Sequence, residues 1–334
     1  MKVLIATPLY PPQIGGPAKY AQALSEWLPN VGHEAPVLSY GWVERHLPSG
    51  VRHLWYFLRL LPQVFGVDAV FALDTWSVGL PALIAAKLAG KKFIVRIGGD
   101  FLWEQYVERT GEMVKLSEFY KKPRKFTRKE KFIFAGTKFL AGRADILLFN
   151  SSWQIGLWQE PYALTLAHCR VLENYYPRER AISKALGRVF VSAGREIRLK
   201  NTATLRRAFA EVKKRHPDIV LDTTVLPQRE HHERIQDAYA VIISSLSDIN
   251  PNGAIEAIGL GKPFIVPQDS GVYERLKGVG LFVDTADARA LERAIEELLD
   301  KEEYRRHVAA IVRFSYAHSW EEIARDVVAA IKEI

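Results

Sequence analysis

Residues 240–267 alternate strand, polar loop, helix and strand, and this order constrains the fold more than any other stretch. The runs AVIIS (240–244) and PFIVP (263–267) are unbroken apolar segments, which is typical of strands covered on both faces. The helix between them has one apolar side, formed by Ala254, Ile255, Ala257 and Ile258. Two buried strands joined by a helix are parallel, so the stretch predicts a βαβ unit of an α/β sheet.

Two carboxylates flank the start of that helix. Asp248 lies in the loop, and Glu256 lies on the helix away from its apolar side. Asn250 or Asn252 is the expected cap, and Pro251 suits the first helical position. Ligands bind at the C-terminal edge of a parallel sheet, where a helix N-terminus favours anions. We therefore expect an anion site here; a cap-and-turn cluster with a solvated glutamate is the alternative.

The length of 334 residues exceeds one ordinary core, so two domains are expected. Hydrophobic residues make up 48% and charged residues 25% of the chain, as in soluble globular proteins. We identify no signal peptide and no apolar run long enough for a membrane span, and we expect a cytoplasmic protein. The single cysteine, Cys169, excludes an internal disulfide. The net charge of +8 suits nucleotides, lipid head groups or nucleic acid.

The same alternation of strands and helices occurs twice, which predicts two doubly wound parallel sheets. We expect one domain over residues 1–175 and a second over residues 188–316. A polar segment, residues 176–187, is the predicted linker. Residues 317–334 are expected to form a closing amphipathic helix.

Two loops after predicted strands carry groups suited to phosphate. Gly15 and Gly16 stand between the first strand and the first helix, where glycines let backbone amides approach an anion; a plain tight turn is equally compatible. The first strand of the second domain is followed by Gly194, Arg195 and, after four more residues, Lys200. A guanidinium fork and a lysine point charge suit a diphosphate; a solvated basic loop is the alternative.

Other polar residues give weaker indications. Arg96 and Asp100 end a strand of the first domain, where Asp100 is a candidate ligand contact or a turn residue after two glycines. The nine histidines show no metal-binding spacing, and His231 and His232 are interpreted as solvated. We expect no bound metal.

Four of these features together resemble glycosyltransferase family 4, the retaining sugar-nucleotide enzymes of the GT-B fold. They are the loop YPPQIGGPAKYA, the Gly-Arg-x4-Lys motif, the carboxylate pair separated by seven residues before GKP, and the closing SWEEIA helix. The chain departs from the family at three points. Asp248 replaces a glutamate, Asn201 replaces the glycine after the lysine, and the segment between Val212 and Ala240 is shorter.

The resemblance implies a GT-B architecture with two Rossmann-like domains facing across a cleft and a C-terminal helix crossing back to the first. It implies transfer of a hexose-type sugar from a nucleoside-diphosphate sugar to an acceptor hydroxyl of a glycan or lipid-linked glycan, as in polysaccharide biosynthesis. No cofactor is implied. The nucleobase, sugar, acceptor and oligomeric state are left open.

The resemblance also implies roles for individual residues. Arg195 and Lys200 would neutralise the leaving diphosphate, and Glu256 would hold the ribose hydroxyls. Asp248 would lie near the sugar, and Asp100 would contact the sugar or the acceptor. The remaining implied donor contacts are Gly15, Gly16, Asn252 and Gly253.

A basic stretch begins at Lys121, ends at Lys131 and is followed by Phe132, Ile133 and Phe134. Basic residues beside aromatics suit an anionic membrane surface, and the apolar residues 51–65 could add to it. A solvated helix face is the alternative. We expect a peripheral position at the inner face of the membrane and, without a recognised motif, no nucleic-acid partner.

Three other functions would each require different sequence features. A GT-B sugar-nucleotide epimerase would need additional acid–base residues in the cleft, which we do not identify. A dinucleotide oxidoreductase would need a GxGxxG fingerprint, which is absent from the sequence. A catalytically inactive nucleotide-sugar-binding protein remains open, because Asp248 is a shorter carboxylate than the family's glutamate.

Overall fold

A computed structural model describes residues 1–13, 15–192, 194 and 196–334. The chain forms two compact units. The first contains Met1–Leu102, Lys125–Tyr175 and Ser319–Ile334. The second contains Trp103–Arg124 and Tyr176–His318.

Eleven strands are assigned within the described residues. In chain order they are β1 Val3–Thr7, β2 Val37–Ser39, β3 Ala69–Ala72, β4 Lys92–Ile97, β5 Ile146–Phe149, β6 Cys169–Val171, β7 Val189–Val191, β8 Val220–Asp222, β9 Ala240–Ile242, β10 Phe264–Pro267 and β11 Leu281–Val283.

Fifteen α-helices are assigned within the same residues. They are α1 Gly16–Asn30, α2 Trp42–His46, α3 Ser49–Val64, α4 Gly79–Leu88, α5 Phe101–Thr110, α6 Leu116–Phe119, α7 Arg128–Ala141, α8 Ser152–Gln159, α9 Thr202–Arg215, α10 Gln228–Asp237, α11 Asn252–Gly259, α12 Tyr273–Leu276, α13 Ala288–Leu299, α14 Lys301–Arg313 and α15 Trp320–Lys332.

The first unit is built on a parallel sheet of order β2-β1-β3-β4-β5-β6. Every residue of β1, β3 and β5 is buried, as expected for strands covered on both faces. The closing helix α15 joins this core, with Ile323, Val327 and Ile331 fully buried. At its start, Trp320 packs against Tyr20 and Tyr175. The expected return of the last helix to the first half of the chain is confirmed.

The second unit is built on a parallel sheet of order β11-β10-β9-β7-β8. Strands β8 and β9 pair with opposite sides of β7, so the strand order reverses between β7 and β9. The loops after these two strands leave the same edge of the sheet next to each other. In an open α/β sheet this is the place where ligands bind.

The unit boundaries differ from the expected ones at two segments. Trp103–Arg124, expected in the first domain, belongs to the second unit. Residues 176–187, interpreted as a linker, also belong to the second unit. Within them, the Ala181 and Ser183 amides donate to the Gly259 and Leu260 carbonyl oxygens at 2.9 and 3.3 Å.

The last strand of the first sheet, β6, covers Cys169–Val171 and ends before the polar Glu173 and Asn174. None of the helices in the described residues is both long and apolar enough to cross a bilayer.

Removing side-chain volume from α15 should destabilise the first unit. Ile323→Ala is expected to lower the free energy of unfolding by about 2–5 kcal/mol, because it leaves a cavity in the core. Lys332→Ala, at an exposed position of the same helix, should change it by less than about 0.5 kcal/mol. Urea unfolding followed by tryptophan fluorescence measures both. Equal effects would contradict the packing described for α15.

Candidate active site

Lys200 and Asp248 meet where the strand order of the second unit reverses. Lys200 ends a 3-10 turn, Arg198–Lys200, that follows β7, and Asp248 lies in the loop after β9. Lys200 Nζ is 3.3 Å from Asp248 Oδ2 and 3.1 Å from Ser245 Oγ. The lysine side chain is 31% exposed and the aspartate 17%. Lys200 therefore places a positive charge at the edge where open α/β sheets commonly bind ligands, and its side chain contacts Asp248 while remaining partly exposed to solvent.

Backbone contacts fix the turn that carries Lys200. Ser244 Oγ donates to the Lys200 carbonyl oxygen at 2.7 Å, and the Leu246 amide donates to the Leu199 carbonyl oxygen at 3.0 Å. The loop after β9 thus binds the turn after β7 through main chain as well as side chain. These contacts fix the backbone of Lys200, so the position of its ammonium group does not depend on its flexible side chain alone.

Asn201 explains one departure from the family pattern. Its backbone is left-handed, with φ of 50° and ψ of 30°. Glycine adopts this conformation without steric cost, and asparagine is among the few other residues that visit it routinely. The Asn201 side chain is buried, and its Nδ2 donates to the Thr285 carbonyl oxygen at 2.7 Å. Asparagine therefore meets the backbone requirement that a glycine would meet and adds a hydrogen bond.

The loop carrying Asp248 is held from the side of β10. The Asp248 amide donates to the Asp269 carbonyl oxygen at 3.1 Å, and the Asp248 carbonyl oxygen accepts from Ser270 Oγ and the Gly271 amide at 2.9 and 3.1 Å. With its main chain bound on both sides, Asp248 presents its carboxylate to Lys200 in a fixed position.

Helix α11 begins at Asn252, and Pro251 occupies the N-cap position without a side-chain capping bond. The expectation that Asn250 or Asn252 caps the helix is wrong; Asn250 Nδ2 instead donates to Asn252 Oδ1 at 3.3 Å. A Cβ on Gly253 would meet Val241 and Ile243 only at 3.7 Å, an ordinary contact. Internal packing therefore does not require glycine at position 253.

Glu256 lies on the second turn of α11, while the buried residues are Ala254, Ile255, Ala257 and Ile258, as the apolar pattern predicted. Its carboxylate is near His231 of α10: His231 Nε2 is 3.4 Å from Glu256 Oε2. The two side chains are 21% and 23% exposed.

The interpretation of His231 as a solvated residue is wrong. Its Nδ1 is buried without a hydrogen-bond partner among the described residues, whereas the neighbouring His232 is exposed. The sequence carries no signal for the contact with Glu256, because it depends on how α10 and α11 pack. His231 is a candidate site residue that sequence reasoning missed.

A second ion pair joins the end of β8 to α10, the helix that carries His231. Asp222 Oδ1 is 2.7 Å from Arg234 Nη1 of α10. Burial acts to raise the pKa of Asp222, but hydrogen bonds from the Thr224 amide and from Arg234 outweigh it and lower the pKa. The pair anchors the helix that carries His231.

The first unit contains the other predicted site residues. Asp100 is 1% exposed, and its Oδ2 accepts from Trp158 Nε1 at 2.8 Å. Arg96 is also buried; its guanidinium lies over the Tyr20 ring at 4.0 Å and donates to Asn150 and Asn174. Burial lowers the pKa of Arg96. Both residues have internal partners that the sequence did not indicate.

Gly15 and Gly16 lie at the start of α1, between the first strand and the first helix as expected, and Pro17 occupies the first turn. A Cβ on Gly15 would lie 3.1 Å from Leu9 Cδ1, so the loop packs closely there. Arg195 lies outside the described residues.

One group of possible metal ligands occurs within the described residues: Glu297, Glu303 and His307, whose ligand atoms lie within 4.8 Å of one another. His307 Nε2 is 3.0 Å from Glu297 Oε1, and Arg306 pairs with both carboxylates. The arginine already balances charge in this cluster of α13 and α14.

The architecture is that of the GT-B glycosyltransferases. The chain is similar to sucrose-phosphate synthase from Thermosynechococcus elongatus, with 12% identity, a TM-score of 0.73 and coverage of 99% of this chain and 98% of that one. It is similar to Anabaena HepE in complex with UDP-glucose, with 13% identity, a TM-score of 0.72 and full coverage of both chains.

It is also similar to the catalytic domain of starch synthase IV from Arabidopsis thaliana bound to ADP and acarbose. That structure is 11% identical, with a TM-score of 0.67 and coverage of 99% of this chain and 98% of that one. No family model and no curated protein matches the sequence. The likeness at these identities shows the fold.

The backbone at Asn201 gives a direct test of why asparagine replaces glycine. Asn201→Gly loses one hydrogen bond but keeps φ positive at no cost, whereas Asn201→Ala loses the bond and also adopts a left-handed conformation. We expect the alanine variant to be less stable than the glycine variant by about 0.5–1 kcal/mol, because the strain of left-handed alanine exceeds the extra conformational entropy that glycine loses on folding. Chemical unfolding of the two variants measures the difference, and an alanine variant as stable as the glycine variant would contradict the assigned conformation.

Proposed function

We propose that this protein is a retaining glycosyltransferase that moves a hexose-type sugar from a nucleoside-diphosphate sugar to an acceptor hydroxyl of a glycan or lipid-linked glycan. The observation that carries the proposal is the contact of Lys200 with Asp248 at the reversal of strand order. A cation and a helix N-terminus at this edge suit a diphosphate. Because HepE was solved with UDP-glucose and starch synthase IV with ADP, UDP- and ADP-glucose are the first donors to test.

In this proposal the protein stabilises the charge that develops on the leaving diphosphate. Lys200 Nζ supplies a positive charge, Arg195 shares that role, and the first amides of α11 at Asn252 and Gly253 supply hydrogen-bond donors. These charged and hydrogen-bonding groups are held in place before the reaction, and charge stabilisation is most effective under that condition. Asp248 lies near the sugar and holds the lysine in place.

Glu256 binds the ribose, because one carboxylate can accept hydrogen bonds from both hydroxyls of a diol. His231, 3.4 Å from that carboxylate, is close enough to orient it. Together they would make the ribose end of the donor site.

The departing phosphate takes the acceptor proton, so a separate general base is not required. We propose no metal and no cofactor for the reaction.

A nucleotide-sugar-binding protein without catalytic activity is the second candidate. It is favoured by Asp248, which is shorter than the family's glutamate and already engaged with Lys200. A GT-B epimerase is a third. Turnover separates these: the transferase releases a nucleoside diphosphate and glycosylates an acceptor, the epimerase changes the sugar's configuration, and the binder does neither.

Nucleoside diphosphate binding tests the donor site. UDP, ADP and GDP are titrated in a thermal-shift assay against wild type, Glu256→Ala and Lys200→Ala; a ligand at 100 times its Kd stabilises by about 2.7 kcal/mol. Glu256→Ala should weaken binding about 10- to 100-fold, since it removes charged hydrogen bonds. Lys200→Ala should lower sugar transfer from the matching donor about 100-fold or more.

The exposed pair of controls is Glu302→Ala and Lys214→Ala, which lie on α14 and α9 and should leave binding and transfer unchanged. The proposed function would be wrong if none of the nucleoside diphosphates stabilises the wild-type protein at millimolar concentration. Binding without transfer to any acceptor would favour the inactive binder.

We also propose a peripheral, cytoplasmic membrane position, supported by an apolar surface of the first unit. Val51, Leu54, Trp55 and Leu58 recur at helical spacing along α3 and are 40–59% exposed. Trp76 contacts both His53 of α3 and Phe132 of α7, so the basic start of α7 lies by the same helix. An exposed apolar stripe beside lysines and arginines suits an anionic bilayer.

Co-sedimentation with vesicles tests this surface. Leu58→Glu should reduce binding to vesicles rich in phosphatidylserine about tenfold or more. A leucine that becomes buried in the bilayer contributes about 1.5–3 kcal/mol to the free energy of binding. Leu186→Glu changes a leucine of the second unit that is more exposed than Leu58, so it is the matched control and should bind like wild type. Equal binding of all three proteins would exclude α3 as the docking surface.

A further inference from the structure

The segment Trp103–Arg124 belongs to the second unit, although residues of the first unit precede and follow it in the sequence. It contains most of α5, a connecting loop and α6. The loop is internally fixed, because Trp103 Nε1 donates to the Val114 carbonyl oxygen at 2.8 Å. A segment that leaves its sequence neighbours and packs with other residues needs specific contacts to hold it, and these lie around the candidate active site.

The first contact is made by Glu108 of α5. Its Oε2 accepts from the Arg198 amide at 3.1 Å, and its Oε1 accepts from the Leu199 amide at 2.9 Å. These are the first amides of the 3-10 turn that ends in Lys200. The first amides of a helical turn have no acceptor within the turn, and Ile197 at its N-cap makes no side-chain bond. Glu108 therefore caps this turn from a distant part of the sequence.

The second contact reaches the loop that carries Asp248. The Leu116 amide donates to Ser247 Oγ at 2.8 Å, and the Ser117 amide donates to Asp269 Oδ2 at 3.2 Å. Ser247 is the residue before Asp248, and Asp269 also accepts the Asp248 amide through its carbonyl oxygen. The same segment thus binds both elements that form the lysine–aspartate pair.

These contacts leave the turn held at both ends. Glu108 binds its amides, while Ser244 and Leu246 bind its carbonyl oxygens. Because the carboxylate occupies the amides of Arg198 and Leu199, those two groups are already satisfied. The turn can then offer a diphosphate the side chain of Lys200 in place of these amides.

We propose that Glu108 is a positioning residue for Lys200 in the sugar-transfer reaction. The inference rests on the proposed function of Lys200. Stabilising a developing charge requires the cation to stand at the correct point before the reaction, and a displacement of about 1 Å can cost roughly 100-fold in rate. Glu108 supplies that precision by fixing the backbone from which the lysine extends.

A double-mutant cycle in the whole protein tests this inference, using the donor identified by the nucleotide panel. Glu108→Ala should lower kcat about 10- to 100-fold and change the Kd for the nucleoside diphosphate by less than about 3-fold. Glu108→Gln keeps one acceptor oxygen and should fall between wild type and alanine. Glu118→Ala, an exposed glutamate of the same segment, is the control and should behave like wild type.

The decisive comparison is between Lys200→Ala and the variant that combines it with Glu108→Ala. If Glu108 acts through Lys200, the second substitution adds little to the loss caused by the first. Should Glu108→Ala fold poorly, the same cycle is run with Glu108→Gln.

The outcomes separate two failures. The positioning role would be wrong if kcat is unchanged in Glu108→Ala, or if the fold-losses in kcat of Glu108→Ala and Lys200→Ala multiply fully in the double variant. In either case the Lys200 and Glu256 variants could still support the transferase. No nucleotide binding and no transfer in wild type would overturn the proposed function, and this inference with it.

Discussion

The contact between Lys200 and Asp248 depends on a single topological fact, the reversal of strand order between β7 and β9. Parallel strands end at the same edge, and only at a reversal do successive connections lead away to opposite sides of the sheet. The gap between them brings together the turn after β7 and the loop after β9. The contacts of Ser244 and Ser245 with Lys200 and the adjacent N-terminus of α11 follow from that arrangement.

Side chains hydrogen-bond the main chain around this pair at several points. Glu108 binds amides, Ser244 and Ser270 bind carbonyl oxygens, and Asn201 binds the carbonyl oxygen of Thr285. Irregular loops cannot satisfy their own polar groups as helices and sheets do. Polar side chains in these loops therefore fix the backbone, and the fixed backbone sets where the charged groups stand.

The sequence did not determine whether Asp100 and Arg96 are exposed or buried, and the tertiary structure buries both. Asp100 follows two glycines, a pattern that fits a turn or a ligand contact equally, and the fold surrounds it with core and a tryptophan N–H. Arg96 reads as a strand-end cation but is enclosed by Tyr20, Asn150 and Asn174. Sequence gives the chemistry of a group, whereas burial depends on residues that come from distant parts of the chain.

The sequence by itself determined the features that repeat locally. Unbroken apolar runs located β9 and β10, and apolar periodicity located the buried side of α11. It also determined which residue types follow which strands. Only the tertiary structure brought His231 beside Glu256, and Glu108 to the turn of Lys200. Those contacts join residues 25 to 90 positions apart, and they form because strand order and helix packing, which no local pattern encodes, bring the residues together.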